Sequence, residues 1–381
     1  MRKVAIIGVG QTKFGEEWTK SLRDLAIEAG IKAIEDAKIE GKEIEALYIG
    51  NMSGIFTSQE HLAALAADMA GLNPIPSIRC EAACASGSVA FRNAYLSILS
   101  GQHDIVMAAG AEKMTDIVDA GALNALMSAG DQEWEGFVGL TFAGLYALIA
   151  RRHMHEFGTT QEQLALVSVN NHKNALKNEY AQFRQEITVE DVLSSPIISD
   201  PLHLLDCSPI TDGAAALILA SEEAVKRLKI ENPVWVLGVG QASAPLALHD
   251  RKSLTRFDST IIAARKAYSQ AKISAKDIEY AEVHDCFSIN EILAIEDLGF
   301  CEKGEGGKFV EKNGINEIVK VNSTGGLKAI GHPVGATGIR QLCDLTRILR
   351  EKGKYGLAQN VGGSGSTCVV TILGSKDSIK G

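Results

Sequence analysis

The feature that most constrains the fold of this 381-residue chain is an internal repeat. The segment VAIIGVGQ, residues 4–11, returns as VWVLGVGQ, residues 234–241. Later in each half AKIEGKEIE, residues 37–45, returns as AKISAKDIE, residues 271–279, so the two offsets are 230 and 234 residues. A period of this length is far too long for a solenoid, whose repeats span about 20–50 residues. The pattern predicts one structural unit that is present twice.

Each half alternates short apolar runs with longer runs in which apolar residues recur at helical spacing. This alternation predicts an α/β fold in which helices pack on mixed or mainly parallel sheets. The predicted strands are Val4–Ile7, Ala46–Ile49, Ile105–Ala108, Val234–Leu237, Tyr280–Val283, Gly356–Ala358 and Cys368–Leu373. The predicted helices are Asp24–Ala37, Ser86–Leu99, Ile261–Ala271, Ile289–Leu298 and Ile339–Leu349.

The first half is longer than the second, and the surplus lies between about residues 115 and 207. We therefore predict an N-terminal half over residues 1–228, with an insertion at about 115–207, and a C-terminal half over residues 229–381. An insertion of this length commonly forms a lid over a substrate site. A helical decoration without a function fits the same composition.

The composition excludes several classes of protein. The formal net charge of −9, without basic runs, argues against nucleic acid as the main partner. The uncharged stretch at 136–150 is shorter than the roughly 18–20 residues that span a bilayer, so we expect no membrane segment. Seven cysteines, without a Cys-x-x-Cys pair, indicate neither a disulfide framework nor a structural zinc site. We expect a cytoplasmic protein with no metal.

The repeated Gly-x-Gly at Gly8 and Gly238 suggests a dinucleotide-binding loop, but the pattern is incomplete. Lys13 and Ser243 occupy the position of the third glycine, and no phosphate-binding Gly-Lys-Ser/Thr loop is present in the sequence. We therefore interpret both glycine pairs as turns at the ends of strands.

Cys84 is the first candidate for catalysis. It lies in EAACASGSVA, residues 81–90, directly before the predicted helix Ser86–Leu99. Free N–H groups and the dipole at a helix N-terminus favour an anion, so the pKa of this thiol is expected well below its ordinary value of about 8.5. The alternative for Cys84 is a buried structural cysteine, which is also the interpretation we favour for Cys80.

His284 and Cys286 form a second candidate pair in EVHDCFSINE, residues 282–291. Ser288 and Glu291 predict a capping box at the start of the following helix. The pair therefore lies on a strand-to-helix turn, at the mouth of a helix, as Cys84 does. A histidine with a surface role is the alternative.

His332 lies in a third motif, NSTGGLKAIGHPVGATG, residues 322–338. Five glycines and a proline predict a rigid loop that holds this histidine ahead of the predicted helix Ile339–Leu349. A fourth motif, QNVGGSGS at 359–366, follows a strand, and its backbone N–H groups can point into a site as an oxyanion hole.

Taken together, these motifs resemble those of the thiolase superfamily over essentially the whole chain. The pairing of Cys-Ala-Ser-Gly at Cys84 with Gly-His-Pro at His332, in this order, is highly specific, and DGAAA at 212–216 is similar to the end of the family's loop region. The resemblance implies two βαβαβαββ halves in a five-layer α-β-α-β-α arrangement, with an inserted loop domain that helps to bind coenzyme A.

The resemblance also implies roles for single residues. Cys84 resembles the nucleophile that accepts an acyl group, and His332 resembles its base. Widespread thiolases have Asn-Glu-Ala-Phe and a second cysteine in Cys-x-Gly-Gly-Gly, whereas this chain has His-Asp-Cys-Phe at 284–287 and Asn-Val-Gly-Gly-Ser at 360–364. That exchange is similar to the sterol-carrier-protein-type branch and its archaeal relatives. It implies Cys286 as the acid/base, His284 as an oxyanion-hole donor, and the backbone of Cys84 and Gly362 as the other oxyanion hole.

The activity implied is that of an acetyl-CoA C-acetyltransferase, which condenses two acetyl-CoA to acetoacetyl-CoA and CoA or catalyses the reverse thiolysis. Coenzyme A thioesters would be substrates, with no permanently bound cofactor. A homodimer or homotetramer is expected, and a complex with an OB-fold bridging protein and 3-hydroxy-3-methylglutaryl-CoA synthase is known for archaeal relatives. The alternatives are a condensing enzyme similar to ketoacyl synthase or 3-hydroxy-3-methylglutaryl-CoA synthase, and a non-catalytic subunit of a thiolase-like complex.

Overall fold

The computed structural model describes residues 2–117, 120–312 and 319–379. The strands are β1 Val4–Gln11, β2 Ala46–Gly50, β3 Ser77–Cys80, β4 Ile105–Glu112, β5 Ile197–Ser199, β6 Leu202–His203, β7 Gly213–Ser221, β8 Val234–Ser243, β9 Tyr280–Glu282, β10 Lys320–Val321, β11 Tyr355–Gly362 and β12 Thr367–Gly374. The helices are α1 Leu22–Ala37, α2 Leu62–Met69, α3 Ser86–Leu99, α4 Ala120–Met127, α5 Phe142–Phe157, α6 Gln161–Ala175, α7 Val189–Ser194, α8 Glu222–Arg227, α9 Asp258–Ala271, α10 Ser288–Asp297, α11 Gly306–Glu311, α12 Gly326–Ile330 and α13 Thr337–Glu351. Every strand and helix predicted from the sequence is present, most with longer ends.

The sheet topology shows the duplication directly. The strand order is β3-β2-β4-β7-β1 in the first half and β10-β9-β11-β12-β8 in the second. In each half the three strands at the outer side pair in parallel and the last two pair antiparallel. The halves join where β1 pairs with β8, at Ala5 with Trp235 and Ile6 with Val234. The predicted pair of βαβαβαββ units is confirmed, while the division at residue 228 stays a prediction.

The helices form three layers around the two five-stranded halves of this ten-stranded sheet. Helices α3 and α13 lie between the two halves, and their apolar residues share one core cluster with β1, β4, β7 and β8. Helices α1 and α2 cover the outer face of the first half, and α9 and α10 cover that of the second. Strand β7 serves two layers, since Leu217 and Leu219 face the central cluster and Ile218 faces α1 and α2. This is the five-layer α-β-α-β-α arrangement of the thiolase fold.

The repeated glycine pairs do not form turns, so that prediction is wrong. Strand β1 continues through Gln11, and β8 continues through Ser243. A Cβ at Gly10 would lie 2.1 Å from the Ala29 carbonyl oxygen of α1, and a Cβ at Gly240 would lie 1.9 Å from that of Ala263 in α9. The repeat therefore lets one helix approach one strand in each half. This packing needs no third glycine, unlike a nucleotide-binding loop.

The predicted insertion lies between β4 and β7 and contains α4 to α7 with the β5–β6 hairpin. Helix α6 packs against α10, α11 and α12 of the second half, so the insertion covers the end of the core where His284, Cys286 and His332 lie. It is therefore part of the site's wall and not a peripheral decoration. Within the described residues, no helix is both long and apolar enough to cross a bilayer.

Candidate active site

Cys84 lies in the turn between β3 and α3, as the sequence predicts. Ala83 adopts a left-handed conformation with φ of +51°, which is uncommon for a residue with a side chain. Ser86 closes the turn, because its hydroxyl accepts from the Ala82 N–H at 2.9 Å and donates to the Ala83 carbonyl at 2.6 Å. These bonds fix the Cys84 thiol just ahead of the first turn of α3.

The expected low pKa of Cys84 is not what the structure gives. Burial raises the pKa of this thiol to about 12, and the backbone N–H of Gly363 offsets only a part of that effect. The thiol is therefore protonated at neutral pH despite its place at a helix N-terminus. A nucleophilic role for Cys84 requires a base that takes its proton during the attack.

His332 is placed to be such a base. Its Nδ1 lies 2.6 Å from the hydroxyl oxygen of Thr337, and that hydroxyl donates to the Pro333 carbonyl at 3.1 Å. Since the hydroxyl's single hydrogen is used on Pro333, the bond to the ring requires an N–H at Nδ1. Nε2 then carries a free lone pair, and it has no hydrogen-bond partner among the described residues. The ring is thus held in the tautomer of a base.

His284 has the opposite tautomer. The amide nitrogen of Asn360 lies 3.1 Å from Nδ1 of this ring and donates to it, so the ring proton belongs on Nε2. This Nε2 is also unpaired within the described part of the chain, and the ring is fully buried. A buried N–H without an acceptor is ready to donate to an oxygen of a substrate.

The two rings and the Cys84 sulfur converge. The ring centroids of His284 and His332 are 5.0 Å apart, and one nitrogen of each ring and the Cys84 sulfur all lie within 4.8 Å of one another. Burial lowers the pKa of His332 to about 3, and burial together with the neighbouring His332 lowers that of His284. Both rings are neutral at pH 7. The three atoms also have the spacing of metal ligands, but the proton on His284 Nε2 disfavours that use.

Cys286 lies on the other side of the same space, at the N-terminus of α10. Its side chain is buried, and its backbone carbonyl accepts from the Ser208 N–H at 2.9 Å, so the end of the insertion is fastened beside it. Burial and the neighbouring Cys84 raise the pKa of Cys286 well above its ordinary value, and the Tyr146 hydroxyl lowers it. Cys286 therefore begins as a proton donor.

The predicted capping box at Ser288 and Glu291 is wrong, since neither side chain caps α10. The Ser288 hydroxyl donates to Asp206 at 2.7 Å, while Glu291 accepts from the side-chain amides of Asn171 and Asn322 at 2.8 and 2.7 Å. Partners from the insertion and from the loop before α12 replace the local bonds. Both residues connect these segments to the helix that carries Cys286.

Two buried carboxylates missed by the sequence analysis fix the loop around His332. Asp285 accepts from the backbone N–H groups of Leu327 and Lys328 at 2.7 and 3.1 Å, in the helix that precedes the histidine. Glu112 accepts from the N–H of Gly335 at 3.0 Å, in the loop that follows it. Asp285 lies within the motif at 282–291 that also contains His284 and Cys286, so the sequence offered a signal for it. Glu112 is the last residue of β4, and no sequence motif surrounds it.

Gly362 and Gly363 both lie next to the Cys84 turn. Gly362 is the last residue of β11, where it pairs with Thr367, and a Cβ there would lie 2.3 Å from the Ala82 carbonyl oxygen. Gly362 thus allows the strand to approach the Cys84 turn, and its role in an oxyanion hole stays a prediction. Gly363 follows the strand with φ of +63°, and its backbone N–H lowers the pKa of the Cys84 thiol.

Cys84, Cys286, His332 and Gly363 line one cavity, which the insertion closes. Its remaining wall is largely apolar and contains Met114, Leu123, Leu126, Phe142, Tyr146, Ile198, Leu204, Ile210, Phe287 and Val334. Such a wall excludes water and suits a thioester with its flexible carbon chain. Cys84, Cys286 and His332 therefore meet at this cavity, and His284 lies beside two of them, Cys84 and His332. The chemistry available there is acyl transfer combined with proton transfer.

Comparisons with known proteins agree with this fold. Residues 4–223 match the family model of the thiolase N-terminal domain, and residues 240–375 match that of the thiolase C-terminal domain. Acetyl-CoA acetyltransferase of Methanothermobacter thermautotrophicus is 55% identical, covering 98% of this chain and all of the relative. Bovine sterol carrier protein 2 is 36% identical, over 97% of this chain and 72% of its own length.

Among solved structures, the Ltp2-ChsH2(DUF35) aldolase superposes with a TM-score of 0.84 at 27% identity, over 99% of this chain and 98% of the other. Both halves of the chain match the models of a single family, and a relative of more than half identical sequence matches along almost the entire length. The chain belongs to the thiolase family.

Proposed function

We propose that this thiolase condenses two acetyl-CoA molecules to acetoacetyl-CoA and free CoA, and catalyses the reverse thiolysis, through an acyl group carried on Cys84. The observation that carries the proposal is the meeting of the Cys84 sulfur with two neutral, oppositely protonated histidine rings within 4.8 Å. The name of the 55% identical archaeal relative supports the same reaction.

In the first half-reaction, His332 Nε2 takes the Cys84 proton while the sulfur attacks the thioester carbonyl. This splits a difficult transfer into two easier steps. The oxyanion that forms is stabilised by the backbone N–H groups of Cys84 and Gly362, and the N–H of Gly363, beside Cys84, is a further donor. The leaving CoA thiolate takes the proton of Cys286, which is protonated in the resting site. Acyl-Cys84, protonated His332 and the Cys286 thiolate result.

In the second half-reaction, the Cys286 thiolate removes an α-proton from a second acetyl-CoA. The enolate oxygen accepts from Nε2–H of His284 and from Nε2–H of the now protonated His332. Donors placed where charge develops have a large effect, since removal of one such donor typically slows a reaction about 10²- to 10³-fold. The carbanion attacks acyl-Cys84, and the departing Cys84 sulfur takes its proton back from His332. The Cys286 thiol is restored, so all protons are accounted for.

No residue outside this set is needed to complete the cycle, so the proposal includes neither a metal nor a permanently bound cofactor. Coenzyme A thioesters are the substrates. We further propose a homodimer or homotetramer, which is supported by the edge strand β3, where Ile78 is half exposed. We also propose a location in the cytoplasm, which is supported by the number of free cysteines. A complex with an OB-fold protein and 3-hydroxy-3-methylglutaryl-CoA synthase stays a prediction.

The experiment that tests the proposal offers the purified protein a series of 3-ketoacyl-CoA substrates of increasing chain length, with free CoA. We expect acetoacetyl-CoA to be cleaved with the highest kcat/KM and Cys84→Ala to be inactive on every substrate. A protein that is acylated by acetyl-CoA but neither cleaves nor forms acetoacetyl-CoA would instead be a different condensing enzyme. Absence of any acylation would favour a non-catalytic subunit.

A further inference from the structure

Tyr146, from helix α5 of the insertion, reaches the centre of the site without a role in the scheme above. It is 1% exposed, and its ring stacks on Phe287 with the centroids 4.6 Å apart. Phe257 meets the same ring edge-on at 6.4 Å. The two contacts fix the ring, so the phenol oxygen has a defined position in the cavity that also exposes Cys84 and Cys286.

The phenol oxygen has two partners of different kinds. It donates to the carbonyl oxygen of Gly363 at 3.0 Å, and it lies beside the Cys286 thiol in the same cavity, where the phenol lowers the pKa of that thiol. A phenol has one hydrogen and can also accept. While Cys286 keeps its proton, the S–H can donate to the phenol oxygen as the phenol donates to Gly363. Once Cys286 has lost its proton, the phenol hydrogen can turn to the thiolate.

Gly363 connects this exchange to Cys84. Its carbonyl accepts from Tyr146 at 3.0 Å, and its N–H is close enough to the Cys84 thiol to lower the pKa of that group. The phenol thus holds the carbonyl of the same residue whose N–H lies beside the nucleophile. Because Gly363 has a positive φ and lies beyond the end of β11, it is not fixed by the strand ladder, and the bond from Tyr146 supplies an anchor.

We propose that Tyr146 is a positioning residue, whose hydroxyl hydrogen moves from the Gly363 carbonyl to the Cys286 sulfur when Cys286 gives up its proton. The inference rests on the proposed function, since it takes Cys286 as the base of the condensation. The phenol itself gains and loses no proton, so the Cys286 proton still passes to the leaving CoA and returns from the second acetyl-CoA. Tyr146 makes the thiolate available by donating to it in a wall that is largely apolar.

The test compares Tyr146→Phe with Tyr268→Phe. Both variants remove one phenol that donates to a backbone carbonyl, Gly363 in the first case and Leu298, at 3.1 Å, in the second. Tyr146→Phe keeps the ring on Phe287, so we expect it to fold. A hydrogen bond to a charged group is worth more than a neutral one. We therefore expect proton exchange of acetyl-CoA into deuterated water, and condensation, to fall about 10- to 100-fold in Tyr146→Phe and to stay near wild type in Tyr268→Phe.

Two further readouts separate positioning from a general loss of structure. Acetylation of Cys84 by acetyl-CoA should stay within about threefold in Tyr146→Phe, because the CoA thiolate can also take a proton from water. In a Cys84→Ala background, the pH midpoint for alkylation of Cys286 by iodoacetamide should move upward by about one pH unit when Tyr146→Phe is added.

The outcomes are distinct. If the wild-type protein condenses acetyl-CoA and Tyr146→Phe equals it in proton exchange and in the alkylation midpoint, the role of Tyr146 is wrong. The proposed function is then unaffected. A wild-type protein that neither exchanges nor condenses would overturn the proposed function itself. Equal losses in Tyr146→Phe and Tyr268→Phe would show that only structural stability is affected, which also overturns this role.

Discussion

Thr337→Val tests whether one hydroxyl sets the tautomer of His332. Valine has nearly the shape of threonine, so the substitution removes the 2.6 Å bond to Nδ1 and little else. The Pro333 carbonyl, which accepts from the same hydroxyl, keeps the backbone N–H groups of Ala336 and Thr337 as donors at 2.9 and 3.1 Å. The variant therefore isolates the contact between Thr337 and the ring.

The size of the effect follows from the burial of the ring, which is 6% exposed. A buried donor that is left without an acceptor is destabilised by about 1–3 kcal/mol. The ring can escape this penalty by moving its proton from Nδ1 to Nε2, and in that tautomer it cannot accept the Cys84 proton. A shift of this size between the two tautomers lowers the rate of acylation about 5- to 150-fold, because about 1.4 kcal/mol corresponds to a factor of ten.

The assay is the rate of acetyl transfer from acetyl-CoA to Cys84, followed by rapid quenching and intact mass spectrometry. Thr346→Val is the matched control, because the Thr346 hydroxyl is buried in the same helix and has no partner among the described residues. The control should acylate at the wild-type rate. If Thr337→Val also acylates at that rate while remaining folded, another group sets the tautomer and the assignment of His332 as a preset base is wrong.

Three further predictions concern pH and packing. With its pKa near 3, His332 should remain a competent base, so acylation should not decline as the pH falls from 7 to 5, whereas a histidine of ordinary pKa, about 6.5, would lose most of its activity. For the same reason the free energy of unfolding should decrease below pH 6.5, because the unfolded chain binds a proton there that the folded His332 ring does not. The decrease should reach up to about 1.4 kcal/mol per pH unit for this group. Urea unfolding of His332→Asn should show a shallower decrease. Gly240→Ala should lower the free energy of unfolding by about 1–3 kcal/mol, because its Cβ would lie 1.9 Å from the Ala263 carbonyl oxygen. Gly15→Ala should change it by less than about 0.5 kcal/mol, since within the described residues a Cβ there meets nothing within 4 Å; equal losses in the two alanine variants would refute the packing argument.

The duplicated fold could be predicted because each copy of the repeat carries its own strand and helix pattern. The interpretation of its glycines as turns was wrong. Gly10 and Gly240 look like turn residues in the local sequence, but each is needed because a helix packs closely across its strand. The four catalytic candidates could be predicted because each lies ahead of a predicted helix, in a short motif that stands out from its surroundings. Two features of the fold bring these residues together: β12 pairs antiparallel with β11, and α5 and α6 cover the site. Such contacts join residues far apart in the sequence, so local patterns do not predict them.

Three details of the site depend on burial and dihedral angles, which local sequence does not encode. The pKa of Cys84 is raised because burial outweighs the position at a helix N-terminus. Gly362 and Gly363 are adjacent and identical in type, and only the fold shows that Gly362 lies in the ladder of β11 while Gly363 follows it with a positive φ. Tyr146 is one of several aromatic residues in α5, and it lies 140 residues before Cys286 in the sequence. Such a residue gives no signal until the fold is known.

The central claim is that Cys84 carries the acyl group while Cys286 only moves protons. The most direct measurement is made on Cys286→Ser mixed with acetyl-CoA, with peptide mapping of the adduct and measurement of both condensation and α-proton exchange. Serine keeps the size of the side chain, but its proton affinity is too high for a shuttle at neutral pH. We expect an acetyl group on Cys84, with condensation and exchange reduced about 10²- to 10⁴-fold. Condensation near the wild-type rate, or an acetyl group mapped to another residue, would contradict it.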